Sequence, residues 1–95
     1  KGESIYIASK AGVEGFSRAF AREMADFNIS VNCIAPGPIK TDLIKGVSKK
    51  QIEKIISNQI FQKQFTPDNV CDLVEILISS RSKTLSGQVF HVGGA

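Results

Sequence analysis

The stretch ISVNCIAPGPIKTDL, Ile29 to Leu43, holds an apolar run that ends at two prolines flanking a glycine. Its first eight residues, Ile29 to Pro36, read as a short strand. Apolar and polar side chains do not alternate cleanly along it, which is the pattern of a strand covered on both faces in a parallel sheet flanked by helices. Pro36, Gly37 and Pro38 then impose a rigid loop at the carboxyl end of that strand. Asn28, just before the run, is a residue that tolerates the left-handed conformation at a helix end, so a helix is expected to stop there.

Upstream, Ala8 to about Phe27 carries a helical pattern, with Val13, Phe16, Phe20 and Met24 recurring at steps of three and four to form one apolar stripe. A second row, Ala8, Gly12, Gly15 and Ala19, contains only small residues. Glycine inside a helix costs about 0.5–1 kcal/mol relative to alanine. Two of them imply close approach of another backbone, so the helix is expected to be packed on two faces.

Downstream, KGVSKKQIEK (Lys45 to Lys54) opens a helix expected over Ser48 to Phe61, with Ile52, Ile55 and Ile56 opposite a solvated basic face. At TPDNV, Thr66 can cap, Pro67 fits the first turn and Asp68 complements the dipole. The helix begun there carries Val70, Leu73, Val74, Leu77 and Ile78 on one face and runs to about Ser80. SGQVFHVGGA, Ser86 to Ala95, closes the chain as a turn, a strand and a glycine-rich tail. The order helix, strand, helix, helix, strand is an α/β unit whose long connection permits a parallel crossover. Two parallel strands leave a buried-type edge unpaired, so the chain is expected either to associate through that edge or to belong to a larger sheet. Lys1 in place of a methionine adds to the expectation that it is cut from something longer.

With 95 residues the chain holds at most one domain, and residues 1–95 are read as a single partial domain with a thin core. A composition 42% hydrophobic and 22% charged argues against disorder. No apolar run is long enough to span a membrane, and no secretory pattern follows Lys1. A net charge of +3 falls short of a nucleic-acid footprint, and the lysine-rich run has no aromatic residue for stacking on bases. Neither a nucleic-acid nor a membrane partner is expected. Cys33 and Cys71 lack the spacing of a metal or redox site, so no metal is expected, and both are read as buried thiols of a cytoplasmic protein.

The chemistry concentrates in SIYIASKAG, Ser4 to Gly12, where Tyr6 and Lys10 stand four residues apart. On a helix such a pair shares one face about 5–6 Å apart. An ammonium beside a phenol favours the phenolate, so the tyrosine could exchange a proton with a carbonyl or alcohol oxygen, a role worth about 10²–10⁴ in rate. Alone, the pair could equally be the first turn of an amphipathic helix.

It is followed, in order, by ISVNCIAPGPIKTDL, TPDNVCDLVEILISS and SGQVFHVGG. Together with YIASKAGVEGFSRAFARE these motifs resemble the carboxyl-terminal part of the short-chain dehydrogenase/reductase family, most of all its 3-oxoacyl-acyl-carrier-protein reductase-like members. The resemblance covers essentially the whole chain. It implies the C-terminal part of a Rossmann-type, doubly wound parallel sheet, with the two strands as the sixth and seventh of seven and the first helix at a subunit contact of a homo-oligomer. It also implies an NAD(P)-dependent oxidoreductase that, when intact, passes hydride between nicotinamide and a carbonyl, alcohol or acyl substrate, the cofactor being NAD or NADP. By the same resemblance Tyr6 is the catalytic acid-base and also a cofactor-binding residue, and Lys10 favours its phenolate and binds the nicotinamide ribose. Pro36 and Gly37 shape the nicotinamide pocket, Ile39 offers backbone groups to the carboxamide, and Thr41 bonds to the carboxamide or pyrophosphate region.

The family's phosphate-binding glycine loop, cofactor-selecting residue, structural asparagine and catalytic serine lie N-terminal of Tyr6 and have no counterpart here. Ser4 is too near Tyr6 to be that serine, and Asn32 lies inside the strand. The isolated chain is therefore expected to be inactive. Carrier-protein-using relatives often have a basic residue where Asp26, Phe27 and Asn28 stand, and Gly93 replaces a usual Asp or Asn. His91, beside Phe90 and Val92, is read as a packing or edge residue. The reading that competes with an enzyme is a non-catalytic, self-associating α/β module joined through the Ala8, Gly12, Gly15 and Ala19 row.

Overall fold

The computed structural model of the protein describes residues 3–37 and 48–94. The described residues form three α-helices, α1 (Glu3–Met24), α2 (Lys49–Ser57) and α3 (Pro67–Ile78), and two strands, β1 (Cys33–Pro36) and β2 (Val89–Val92), in the order α1, β1, α2, α3, β2. The strands pair with each other. The backbone bonds leading into them, Gly87 N–H to the Val31 carbonyl (2.7 Å) and Cys33 N–H to the Gln88 carbonyl (2.9 Å), advance along both segments in the same direction, which makes the pairing parallel. The expected α/β class and element order are therefore present.

The chain divides into two compact units, one of Lys1–Cys33 with Ser80–Val89 and the other of Ile34–Ser79 with Phe90–Ala95. In the first unit α1 starts at Glu3, five residues before the apolar periodicity begins. A 3-10 turn, Ala25–Phe27, ends it. Asn28 follows in the left-handed region (φ 60°), donating its N–H to the Ala25 carbonyl (2.9 Å), while the Ile29 N–H reaches the Met24 carbonyl (3.2 Å). These paired bonds satisfy two of the carbonyls that a helix end otherwise leaves unbonded. The strand is shorter than Ile29–Pro36. Val31 and Asn32 instead bond to the turn before β2, with the Asn32 amide donating to the Leu85 carbonyl (3.0 Å) and accepting the Gln88 N–H (3.2 Å).

Within the described residues α1 has no second packed face: Ala8, Gly12, Gly15 and Ala19 are all exposed, and a Cβ placed on Gly12 or Gly15 would meet no described atom within 4 Å. Val13 and Phe16 on the apolar stripe are 57% and 65% exposed, with Phe16 covered mainly by its stacking on Phe20. Two strands offer too little sheet to cover a helix of 22 residues. Ala21, farther along α1, is buried.

In the second unit Ser48 caps α2, its hydroxyl accepting the Gln51 N–H (3.2 Å). Ile52 and Ile56 turn inward while Lys49, Lys50 and Lys54 stay exposed. The helix stops at Ser57 rather than Phe61, because the chain bends at Asn58 and the Gln59 amide bonds to carbonyls ahead of it. α3 begins at Pro67, and the Asn69 side chain accepts the Thr66 N–H (2.8 Å), reinforcing the expected cap. The apolar core of the described residues is as thin as expected, with Ala21 in one unit and Ala35 in the other as its buried members. Cys71 is a correction: it is exposed and Cys33 only half-buried, because Cys71 lies off the Val70, Leu73 and Leu77 stripe of α3.

Candidate active site

Tyr6 and Lys10 both lie on α1, four residues apart and therefore on one face. Tyr6 is 66% exposed and Lys10 is exposed as well. Neither side chain bonds to a described residue, so the phenol and the ammonium are both available to a ligand. Ser4, two residues before Tyr6, faces about 200° away around the helix and does not join them.

Pro36 and Gly37 belong to the second unit, at the carboxyl end of β1. Pro36 is exposed, and Gly37 is half-buried against the side chain of Gln59. A Cβ on Gly37 would collide with Gln59 Oε1 and sit 3.3 Å from its Cδ, so glycine is required by close approach. Gln59 is itself buried, and its amide donates to the carbonyls of Phe61 and Lys63 (both 3.1 Å). The Phe61 N–H donates to the Gly93 carbonyl (2.9 Å), and a Cβ on Gly93 would lie 2.8 Å from Phe65 and 3.0 Å from Gln59 Nε2. Gly93 has φ +89°, a conformation that glycine adopts without steric cost and that residues with a side chain rarely adopt.

Gln59 thus braces the turn at Gly37 against the turn at Gly93. Sequence reasoning missed it, because one glutamine among several in NQIFQKQ carries no pattern. Ile39 and Thr41 lie outside the described residues. His91 on β2 is exposed. Among the described residues no group of His, Cys, Asp and Glu is arranged to hold a metal, and no helix is long and apolar enough to cross a membrane.

Residues 1–94 match the family described as enoyl-(acyl carrier protein) reductase, and the chain belongs to it as a member of the short-chain dehydrogenases/reductases. It is 39% identical over 93 residues to the 3-oxoacyl-[acyl-carrier-protein] reductase FabG of Chlamydia muridarum and 40% identical to nodulation protein G of Rhizobium meliloti. In both cases the match covers 98% of this chain and 38% of the relative, so the chain spans well under half the length of the curated proteins it resembles.

Solved structures agree. A 4-hydroxyisoleucine dehydrogenase complexed with NADH superposes with a TM-score of 0.82 at 34% identity, covering 96% of this chain and 39% of that one. A 3-oxoacyl-[acyl-carrier protein] reductase from Brucella melitensis gives 0.79 at 30% identity, covering 94% and 34%. The fold is accordingly part of a Rossmann-type α/β sheet.

Proposed function

We propose that these residues form the acid-base part of an NAD(P)-dependent oxidoreductase that interconverts a carbonyl and an alcohol. The observation that carries this reading is the exposed Tyr6 and Lys10 pair on one face of α1, with both polar groups unengaged by described residues. A phenol and an ammonium one helical turn apart suit the hydroxyls of a nicotinamide ribose, so the residues present fit the cofactor. When bound, that cofactor supplies or accepts the hydride. Tyr6 Oη gives its proton to the substrate oxygen as the carbonyl becomes an alcohol, and recovers one in the reverse direction. Lys10 favours the phenolate that this leaves. Pro36 and Gly37, with Ile39 and Thr41, border the nicotinamide, beyond the carboxyl end of a parallel strand where ligands of open α/β sheets bind.

The substrate is a small carbonyl, alcohol or acyl compound, in line with the reductase and dehydrogenase relatives. The test is reduction of a 3-oxoacyl thioester and of simple ketones by the complete gene product with NADH and with NADPH. Turnover with either cofactor is expected, and its absence with both, on every carbonyl and alcohol tried, overturns the reading.

A second reading rests on the exposed Ala8, Gly12, Gly15 and Ala19 row, where a Cβ on either glycine would meet no described atom within 4 Å. It serves a homo-oligomer contact, in which a second copy makes the close approach. Sedimentation at low concentration tests it, and a monomer contradicts it.

A further inference from the structure

About three helical turns beyond Tyr6, some 18 Å along α1, the first unit contains a cleft of ≈ 470 Å³ that the acid-base pair does not use. Arg18 and Arg22, at positions i and i+4 on α1, line one wall. Lys83 lines another. Among the described residues no acidic side chain lines the cleft, and none of the three cationic side chains bonds to a described residue.

The floor is a built turn. Gly87 adopts φ +71°, open to glycine at no steric cost, and donates its N–H to the Val31 carbonyl (2.7 Å). The Ser86 hydroxyl accepts the Val31 N–H (3.0 Å), and the Gln88 N–H is held by Asn32. Buried Ala21 seals the base: a Cβ at Gly87 would touch its Cβ at 3.6 Å. Ala25 and Ile29 add an apolar patch to the lining.

Like charges at i and i+4 on a helix repel, and a third cation at the same hollow adds to that cost. An anion between them removes it, and two guanidinium groups present the paired N–H donors that match phosphate oxygens. The volume lies within the range of about 300–1,000 Å³ typical of small-molecule sites and exceeds what one inorganic phosphate needs.

We propose that this cleft binds a phosphorylated small organic molecule, its phosphate between Arg18, Arg22 and Lys83 and its organic part against Ala25 and Ile29. The site stands apart from the Tyr6 and Lys10 pair, so it holds or fails independently of the oxidoreductase reading.

The test is titration of the complete gene product with phenyl phosphate, inorganic phosphate and uncharged benzyl alcohol at about 0.15 M salt, where exposed charges are screened beyond about 8 Å. Amide NMR shifts are followed in the chain, in Arg18→Gln, Arg22→Gln and Arg22→Lys, and in Lys49→Gln/Lys50→Gln, which removes charge from α2. Saturable binding of phenyl phosphate is expected, tighter than inorganic phosphate, with shifts at Ser86, Gly87 and Gln88. Each Arg→Gln change is expected to weaken it about tenfold or more, Arg22→Lys less, and the α2 variant not at all (tenfold is about 1.4 kcal/mol). No saturation below about 10 mM, a floor of about 2.7 kcal/mol of binding free energy, overturns the proposal. So does equal weakening by the α2 variant, which would mark diffuse charge attraction. A variant that loses its native amide spectrum is replaced by Lys83→Gln, for which the same weakening is expected and an unchanged affinity counts against the site.

Discussion

Gln59 Oε1 occupies the space that a side chain on Gly37 would need, while the same amide is tied through Nε2 to the carbonyls of Phe61 and Lys63. The end of a glutamine side chain is ordinarily free to swing aside, but here swinging aside breaks two hydrogen bonds of a buried group. Gly37→Ala is therefore expected to cost about 1–3 kcal/mol, the range for forcing extra volume into a packed position. In the Gln59→Ala background most of that cost should vanish, since the obstructing amide is gone. Urea denaturation of the four proteins of this cycle measures the coupling, and strict additivity would mean that the two residues do not compete for the space.

Asn32 provides a second check, in the other unit. Its side chain holds both the Leu85 carbonyl and the Gln88 N–H at the entry to β2. Asn32→Ala leaves both half-satisfied and is expected to cost about 1–3 kcal/mol, with faster hydrogen exchange at Gln88. Unchanged exchange there would show that the bridge does not set the register of β2.

At Asn28 the backbone conformation itself is testable. The left-handed φ of 60° is tolerated by asparagine, favoured by glycine and strained for a β-branched residue. Asn28→Gly should change stability by no more than about 0.5 kcal/mol, whereas Asn28→Val should cost about 1–3 kcal/mol. Thermal unfolding of the two variants distinguishes them.

Much of the fold was legible because it rests on local chain chemistry. Asn28 ends its helix, Thr66 and Pro67 begin theirs, and Ile29 to Pro36 contains β1, each through side-chain and backbone preferences that act over a few residues. Boundaries slipped where no apolar period marks them. Glu3 to Ile7 is helical without belonging to the apolar stripe, and the chain leaves helix at Asn58 although Ile60 and Phe61 extend the apolar pattern. The exposure of Gly12, Gly15 and Phe16 was not legible, because periodicity shows which face is apolar and not how much chain exists to cover it. The same limit hid Gln59: its role arises from the meeting of the Gly37 turn, the Gly93 turn and the segment after α2, residues far apart in sequence. The Tyr6 and Lys10 pair was visible because helical spacing alone puts both on one face.

Loss of the ammonium should affect chemistry and cofactor binding together. Lys10→Met in the complete gene product is expected to lower kcat and also to weaken nicotinamide cofactor binding, since the ammonium serves both the phenolate and the ribose. Equilibrium cofactor titration beside steady-state kinetics checks this, and a loss in kcat with unaltered cofactor affinity would remove Lys10 from the ribose.

The central claim, that Tyr6 passes the proton, is tested most directly by steady-state turnover of the complete gene product carrying Tyr6→Phe, with cofactor affinity measured alongside. The expected result is a fall in kcat of about 10²–10⁴-fold with cofactor affinity changed far less, because the Lys10 ammonium remains to hold the ribose when the hydroxyl is removed from an exposed ring. Turnover within about threefold of the parent, less than about 0.7 kcal/mol of barrier, would contradict it.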